Sequence, residues 1–152
     1  MNLSDNFSMM EFTKSQTAIR RGINNNPTLA HRLAMAALCN AILEPVRAHF
    51  DKPVKISSGY RSKALNAAVG GSNSSQHSLG EAADIEITGI DNRRLAKWIE
   101  ANCPFDQIIL EGASRSDPNA GWVHVSHGPR NRRQTLTATF RGGKATYTAG
   151  IA

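Results

Sequence analysis

A chain of 152 residues has room for one hydrophobic core and not for two comfortable ones, so one domain over residues 1–152, monomeric and with at most one active site, is expected. Apolar residues make up 40% and charged residues 20%, as in an ordinary globular protein, and no apolar run approaches the roughly 18 residues of a membrane span. The net charge of +6, concentrated at Arg20-Arg21, Arg93-Arg94 and Arg130-Asn-Arg132-Arg133, favours an anionic partner, but an aromatic content of 6% without interleaved aromatic and basic residues argues against nucleic acid.

The first residues, Met1 to Phe7, lack a basic stretch followed by an apolar one. No signal peptide is therefore visible, and synthesis in the cytoplasm with no export route of its own is expected. Phe7, Met9, Met10 and Phe12 predict an arm pinned to the body by aromatic and methionine contacts. Residues 13–22 read as a short helix closed by Gly22, and Asn24-Asn-Asn-Pro27 as a loop whose proline enters the first turn of the next helix.

That helix should span residues 28–50. Leu29, Leu33, Ala36, Ala37 and Asn40 trace one face and Leu38, Ile42 and Val46 a neighbouring one, an arc wide enough to be central to the core, with Pro45 set to kink or split it. His31 and His49 have no partner at ligand spacing and read as surface or capping residues, and Cys39 and Cys103 read as buried free thiols.

Residues 53–57 alternate as a strand, Ser58 to Ser62 turn the chain, and residues 63–69 form a short helix stopped by Gly70-Gly71. His77 follows on a loop, and Asp84 opens a strand over residues 84–87. Asp91 is suited to cap a helix running to about Asn102, residues 106–111 are a strand, and residues 112–120 a loop leading to the strand Trp122-Val-His124-Val-Ser126. The glycines of Arg141-Gly-Gly-Lys144 predict a hairpin between residues 135–140 and 145–148. Irregular alternation of helices and strands predicts an α+β fold with a mainly antiparallel sheet, helices on one face and the site on the other.

The chemistry centres on Ser75-Gln-His77-Ser-Leu-Gly80-Glu-Ala82-Ala-Asp84. A loop imidazole can fold back onto the strand it feeds and meet a carboxylate there, and His124 is the best third ligand for a hard or borderline metal. His127 lies on the opposite strand parity and falls outside this set, while Glu86 shares a face with Asp84 and is at most a neighbour of the ligands. Two imidazoles and a carboxylate also serve mononuclear iron oxygenases, but the long spacing from His77 to Asp84 and the few strands disfavour that reading.

Ser75-x-His77-x-x-Gly80-x-Ala82-x-Asp84 with Trp122-x-His124 resembles the signature of the zinc D-Ala-D-Ala carboxypeptidase family, whose superfamily includes lysostaphin-type peptidases and the hedgehog signalling domain. Residues 7–27, Leu43-Glu-Pro-Val-Arg47, Ser57-Ser-Gly-Tyr-Arg61, Asn66-x-x-Val-Gly-Gly-Ser72 and Phe105-Asp-Gln-Ile-Ile-Leu-Glu111 extend the likeness to members found in bacteria and bacteriophages. The resemblance implies one zinc ion on His77, Asp84 and His124, with Glu111 moving the proton of an attacking water and Arg61 and Ser75 lining the substrate side. It also implies peptidoglycan stem peptides as substrate and an endolysin acting on the cell wall after release, without stable membrane insertion. A zinc-binding recognition module without catalysis is the alternative. Some relatives carry an acidic residue where this chain has Gly121, and others a histidine where it has Trp122. The segments at residues 72–75 and 112–120 are expected to shape the pocket.

Overall fold

The computed structural model describes residues 1–152. Six strands form one sheet: β1 (Lys55–Ser58), β2 (Ala82–Glu86), β3 (Gln107–Glu111), β4 (Trp122–Ser126), β5 (Gln134–Arg141) and β6 (Lys144–Ala149), in the order β1-β2-β4-β3-β5-β6. Every pairing is antiparallel except β3 with β5, so the sheet is mixed. The parallel pair arises because the chain leaves β4 and crosses to the far side of β3 before the Gly142-Gly143 hairpin adds β6. No helix is long and apolar enough to cross a membrane.

Alternation separates the two faces of the sheet. Ala83 and Ile85 on β2, Ile108 and Leu110 on β3, and Val123 and Val125 on β4 are fully buried in the core, whereas Asp84, Glu111 and His124 fall on the opposite parity. The core is completed by helices α3 (Leu29–Leu38), α4 (Glu44–Phe50) and α6 (Asn92–Asn102), which contribute Met35, Leu38, Val46, Leu95 and Ile99. Asp84 does not open β2 but stands in its middle, because the small buried Ala82 and Ala83 pair with Ser126 and Val125 and start the strand earlier.

The long helical segment departs from expectation in two ways. Leu29 and Leu33 are 64% and 63% exposed, and the face they share with Ala37 and Asn40 is turned to solvent, while the Leu38–Ile42–Val46 face enters the core. Second, the segment is divided into α3 and α4 just before Pro45, by a change of helix type rather than by a break in the chain of helical turns. A π-helical turn, Cys39–Leu43, precedes α4, with the Glu44 N–H bonding five residues back to Cys39 O, and the proline then sits in the first turn of α4, where a missing N–H costs little. Pro27 lies before the helix rather than within it, since Thr28 is the N-cap and His31 returns the bond by accepting the Thr28 N–H at Nδ1 (3.3 Å). Cys39 and Cys103 are buried free thiols, as expected.

The helix expected over residues 13–22 is present as a shorter one closed by Gly22, and the arm before it carries a further helical turn. Helix α1 (Met9–Thr13) begins at a Ser8–Glu11 capping box, and α2 (Gln16–Arg21) is capped by Ser15 and closed by Gly22. The arm is held by Phe7 and Phe12, 2% and 0% exposed, each burial contributing roughly 1.5–3 kcal/mol. Met10 stays exposed and takes no part. A second hold comes from Glu44, whose carboxylate accepts from Ser4 Oγ (2.5 Å), Asn6 N (2.8 Å) and Asn6 Nδ2 (2.7 Å).

Candidate active site and metal centre

The arm matters because Phe12 fixes the turn that orients His77. A Cβ on Gly59 would stand 2.7 Å from Phe12 Cα, so only glycine lets the two backbones approach, and Phe12 O accepts the Tyr60 N–H at 2.8 Å. The Gly59 carbonyl is thereby aimed at His77 Nδ1, 2.6 Å away. Asn25 ties the same turn together, donating from Nδ2 to Thr13 O (2.9 Å) and Tyr60 O (3.1 Å) and accepting the Ser62 N–H at Oδ1 (2.7 Å). His77 itself lies on a 3₁₀ turn, Gln76–Leu79, whose N-cap Ser75 accepts the His77 N–H (3.2 Å).

A carbonyl can only accept, so His77 Nδ1 carries the proton and a neutral ring turns the Nε2 lone pair toward Asp84 Oδ1, 3.4 Å away. His124 stands directly opposite Asp84 in the β2–β4 register, with Nδ1 3.1 Å from the same oxygen. A lone pair facing a carboxylate is unfavourable unless a cation lies between them. Around a tetrahedral ion with bonds of about 2.0–2.1 Å, neighbouring ligand atoms stand roughly 3.3 Å apart. Both separations match that spacing, and the ligand atoms of the three residues all lie within 4.8 Å of one another. The donor set and its geometry fit a zinc ion.

Burial alone would raise the Asp84 pKa, but its close contacts with the His124 and His77 rings outweigh burial and hold the carboxyl far below the usual carboxylate range. Glu111 is moved the other way, raised by burial and by the charge of Asp84, against the opposing pull of His124, Trp122 and Arg61. Trp122 is its register partner across β3–β4, and the indole Nε1–H donates to Glu111 Oε2 at 3.0 Å. The residue that replaces a relative's histidine is thus the one that holds the carboxylate. Gly121 could not carry an acidic side chain, because its φ is +76° and a Cβ there would collide with the Glu111 carbonyl.

These groups line one cleft of about 450 Å³, together with Arg61 and Ser75. The Arg61 N–H donates to His77 O (3.1 Å), which sets the residue beside the cluster, and its side-chain Nε is buried without a hydrogen-bond partner. Burial draws the guanidinium below the ordinary arginine value, while Asp84 and Glu111 oppose that fall. Residues 112–120 do not line the cleft. Asn92 Nδ2 binds the carbonyls of Ala120 (3.1 Å) and Gly121 (3.2 Å) and ties the end of that segment to α6. Glu86 is engaged elsewhere, pairing with Lys55 at 3.7 Å on the neighbouring strand, and it does not reach the ligands.

A family model for peptidase M15 matches residues 5–126. The chain belongs to the peptidase M15 family. No curated protein matches it. M15 peptidases are zinc-dependent metallopeptidases, and the His77–Asp84–His124 cluster is compatible with that chemistry. The match ends at the last residue of β4, and the β5–β6 hairpin beyond it adds Tyr147 to the cleft and stacks Phe140 against Trp122 (centroids 6.2 Å apart).

Arg132, in the segment between β4 and β5, joins a polar network with Gln76 in the wall of the cleft. Its guanidinium grips buried Asp106 through Nε–Oδ1 (3.1 Å) and Nη2–Oδ2 (2.9 Å), its backbone N–H reaches Oδ1 (2.7 Å), and Gln76 Nε2 donates to Oδ2 (2.8 Å). Burial raises the Asp106 pKa, but these bonds prevail and bring it down to about 2 from 3.8. A carboxyl depressed on folding contributes stability that is present above its unfolded pKa and lost as pH falls through the folded one. Asp106→Asn should therefore lose roughly 2–3 kcal/mol near pH 7, with the gap to the wild type closing toward pH 2 in urea denaturation curves. A gap independent of pH would show that the carboxylate charge is not what holds Arg132.

Proposed function

We propose that this protein is a zinc-dependent peptidoglycan peptidase, a single peptidase domain over residues 1–152 that hydrolyses peptide bonds in D-amino-acid-containing stem or cross-link peptides. The observation that carries this reading is the convergence of His77 Nε2, Asp84 Oδ1 and His124 Nδ1 in one cleft with Glu111 and Arg61. His77, Asp84 and His124 would hold one zinc ion, which would supply Lewis acidity toward a scissile carbonyl and activate water near neutral pH.

Glu111 is the proton carrier. Its Oε2 is occupied by the Trp122 indole, so Oε1 is the oxygen left to take a proton from the attacking water and return it to the departing amine. Its raised pKa suits both halves of that exchange better than an ordinary exposed carboxylate would. Arg61, with no ion-pair partner in the protein, is placed to hold a substrate carboxylate or polarise the scissile carbonyl, and Ser75 borders the same space. The net charge of +6 suits the anionic bacterial envelope, and the reading extends to a bacteriophage endolysin that reaches the wall after release from the cytoplasm.

Mass spectrometry of purified peptidoglycan fragments after digestion tests the proposal. Free D-alanine marks a carboxypeptidase and separated stem peptides an endopeptidase. Unchanged polymer with the protein bound to it would instead identify a recognition module.

Trp122→Phe isolates the role of the indole, since it keeps a ring against Phe140 while removing the N–H. We expect kcat to fall roughly 10-fold, as for loss of a hydrogen bond to a charged group, with KM and zinc content little changed. An unaltered kcat would mean that Glu111 needs no such hold.

A further inference from the structure

The cleft is not closed on all sides. Ser74, Ser75 and Arg130 line it and also line a second cavity of about 930 Å³, so the two are neighbouring parts of one groove. The catalytic part, about 450 Å³, is toward the small end of ligand-binding clefts, whereas the second is toward the large end. Its walls combine two characters. Half-exposed Leu79 offers apolar surface above the buried Tyr60, whose ring lies 5.0 Å from that of His31, while Lys63 and Arg130 are exposed cations. Neither cation forms a salt bridge, unlike Arg132 close by, whose charge is spent on Asp106. The one carboxylate of this cavity, Glu81, accepts from Gln76 Nε2 at 3.0 Å.

From this geometry we infer that the substrate peptide continues from the catalytic cleft across Ser74 and Ser75 into the second cavity, where Lys63 and Arg130 bind a carboxylate that it carries away from the scissile bond. The inference rests on the peptidase reading of the neighbouring cleft. It narrows the substrate class to acidic peptides, with small apolar groups resting on Leu79. Unpaired cations beside apolar walls complement an anionic, partly apolar chain, and a groove continuous with the catalytic cleft favours a segment of the same molecule over a separate ligand.

The probe is a synthetic pentapeptide ending in D-alanyl-D-alanine with glutamate at its second position, compared with the same peptide carrying glutamine there. Binding is followed by calorimetry in the Glu111→Gln background, so that turnover does not interfere, and cleavage is followed with the otherwise wild-type protein. The glutamate peptide should bind about 10-fold more tightly at low salt. Removing either cation by Lys63→Ala or Arg130→Ala should cost it roughly 2- to 5-fold, as for exposed charge pairs, and the double variant should bind both peptides alike. High salt should shrink the preference in the same way. Both side chains are exposed, and unchanged melting temperatures would show that the variants fold. Equal binding of the two peptides, or a preference that survives the double variant, overturns the inference. If the preference is present but neither peptide is cut, the peptidase reading fails and the anionic subsite stands; if both are cut equally well with no preference, the reverse holds.

Discussion

His77→Ala, Asp84→Ala and His124→Ala should each lose most of the bound zinc and, with it, cleavage of peptidoglycan by several orders of magnitude. Three protein ligands around a catalytic metal leave no redundancy, and removing one abolishes a bond that the remaining two cannot replace. The Asp84 variant should also differ from the other two in the metal-free protein. Asp84 Oδ1 is the shared partner of His77 Nε2 (3.4 Å) and His124 Nδ1 (3.1 Å), and without it the two rings lose the one carboxylate that both of them face. Elemental analysis of the purified variants gives zinc per chain, and thermal denaturation with a chelator present gives the metal-free comparison. Full zinc retention in any one variant removes that residue from the ligand set.

Local sequence carried more of this site than of the fold around it. Alternation in Trp122-Val-His124-Val-Ser126 and in the strand of Asp84 is a period-2 signal that survives folding, because one face of each strand enters the core and the other cannot. The length of β2 was not legible, since nothing in Ala82 and Ala83 by themselves distinguishes a loop from a strand; their pairing with Ser126 and Val125 decides it. Of the two helical faces at residues 28–50, that of Leu38, Ile42 and Val46 is buried as expected and that of Leu29 and Leu33 is not, for a related reason. Leucine at residues 29 and 33 fits a core stripe, yet which stripe is buried depends on where the sheet lies, and the sheet meets the stripe of Leu38 and Val46.

The groups that orient the site were the least legible. Gly59 acts through its carbonyl and Asn25 through three backbone contacts, and neither leaves a spacing pattern that identifies its partner. The Trp122–Glu111 bond could have been suspected only from knowing that β3 and β4 are register partners, because the two residues are loop-separated in sequence and opposite in space. Arg132 falls in a basic cluster that reads as favouring an external anionic partner, and only the buried Asp106 shows it to be an internal one. The single parallel pairing of β3 with β5 was invisible for the same reason, since strand order is a property of long-range contacts.

Glu111→Gln should separate chemistry from metal binding. The amide keeps the size of the carboxylate, and its oxygen can still accept the Trp122 Nε1–H that now reaches Oε2 at 3.0 Å, so the side chain should hold its place. It cannot accept a proton, and the rate should fall on the order of 10²-fold or more, with zinc content equal to that of the wild type. Stability moves differently. Burial and the Asp84 charge raise the Glu111 pKa above 4.5, so folding favours the protonated form; the penalty for the charged form is absent below the unfolded value and grows as pH rises through the folded one. In the metal-free protein, Glu111→Gln should therefore match the wild type in acid and be at least as stable at neutral pH, a sign opposite to that of Asp106→Asn. Denaturation curves at both pH values and cleavage rates on purified peptidoglycan check the two halves independently. Near-normal cleavage by the zinc-loaded variant would place the proton acceptor elsewhere in the cleft, and a loss of stability at neutral pH would mean that the charged carboxylate contributes more to the fold through Trp122 and Arg61 than burial takes away.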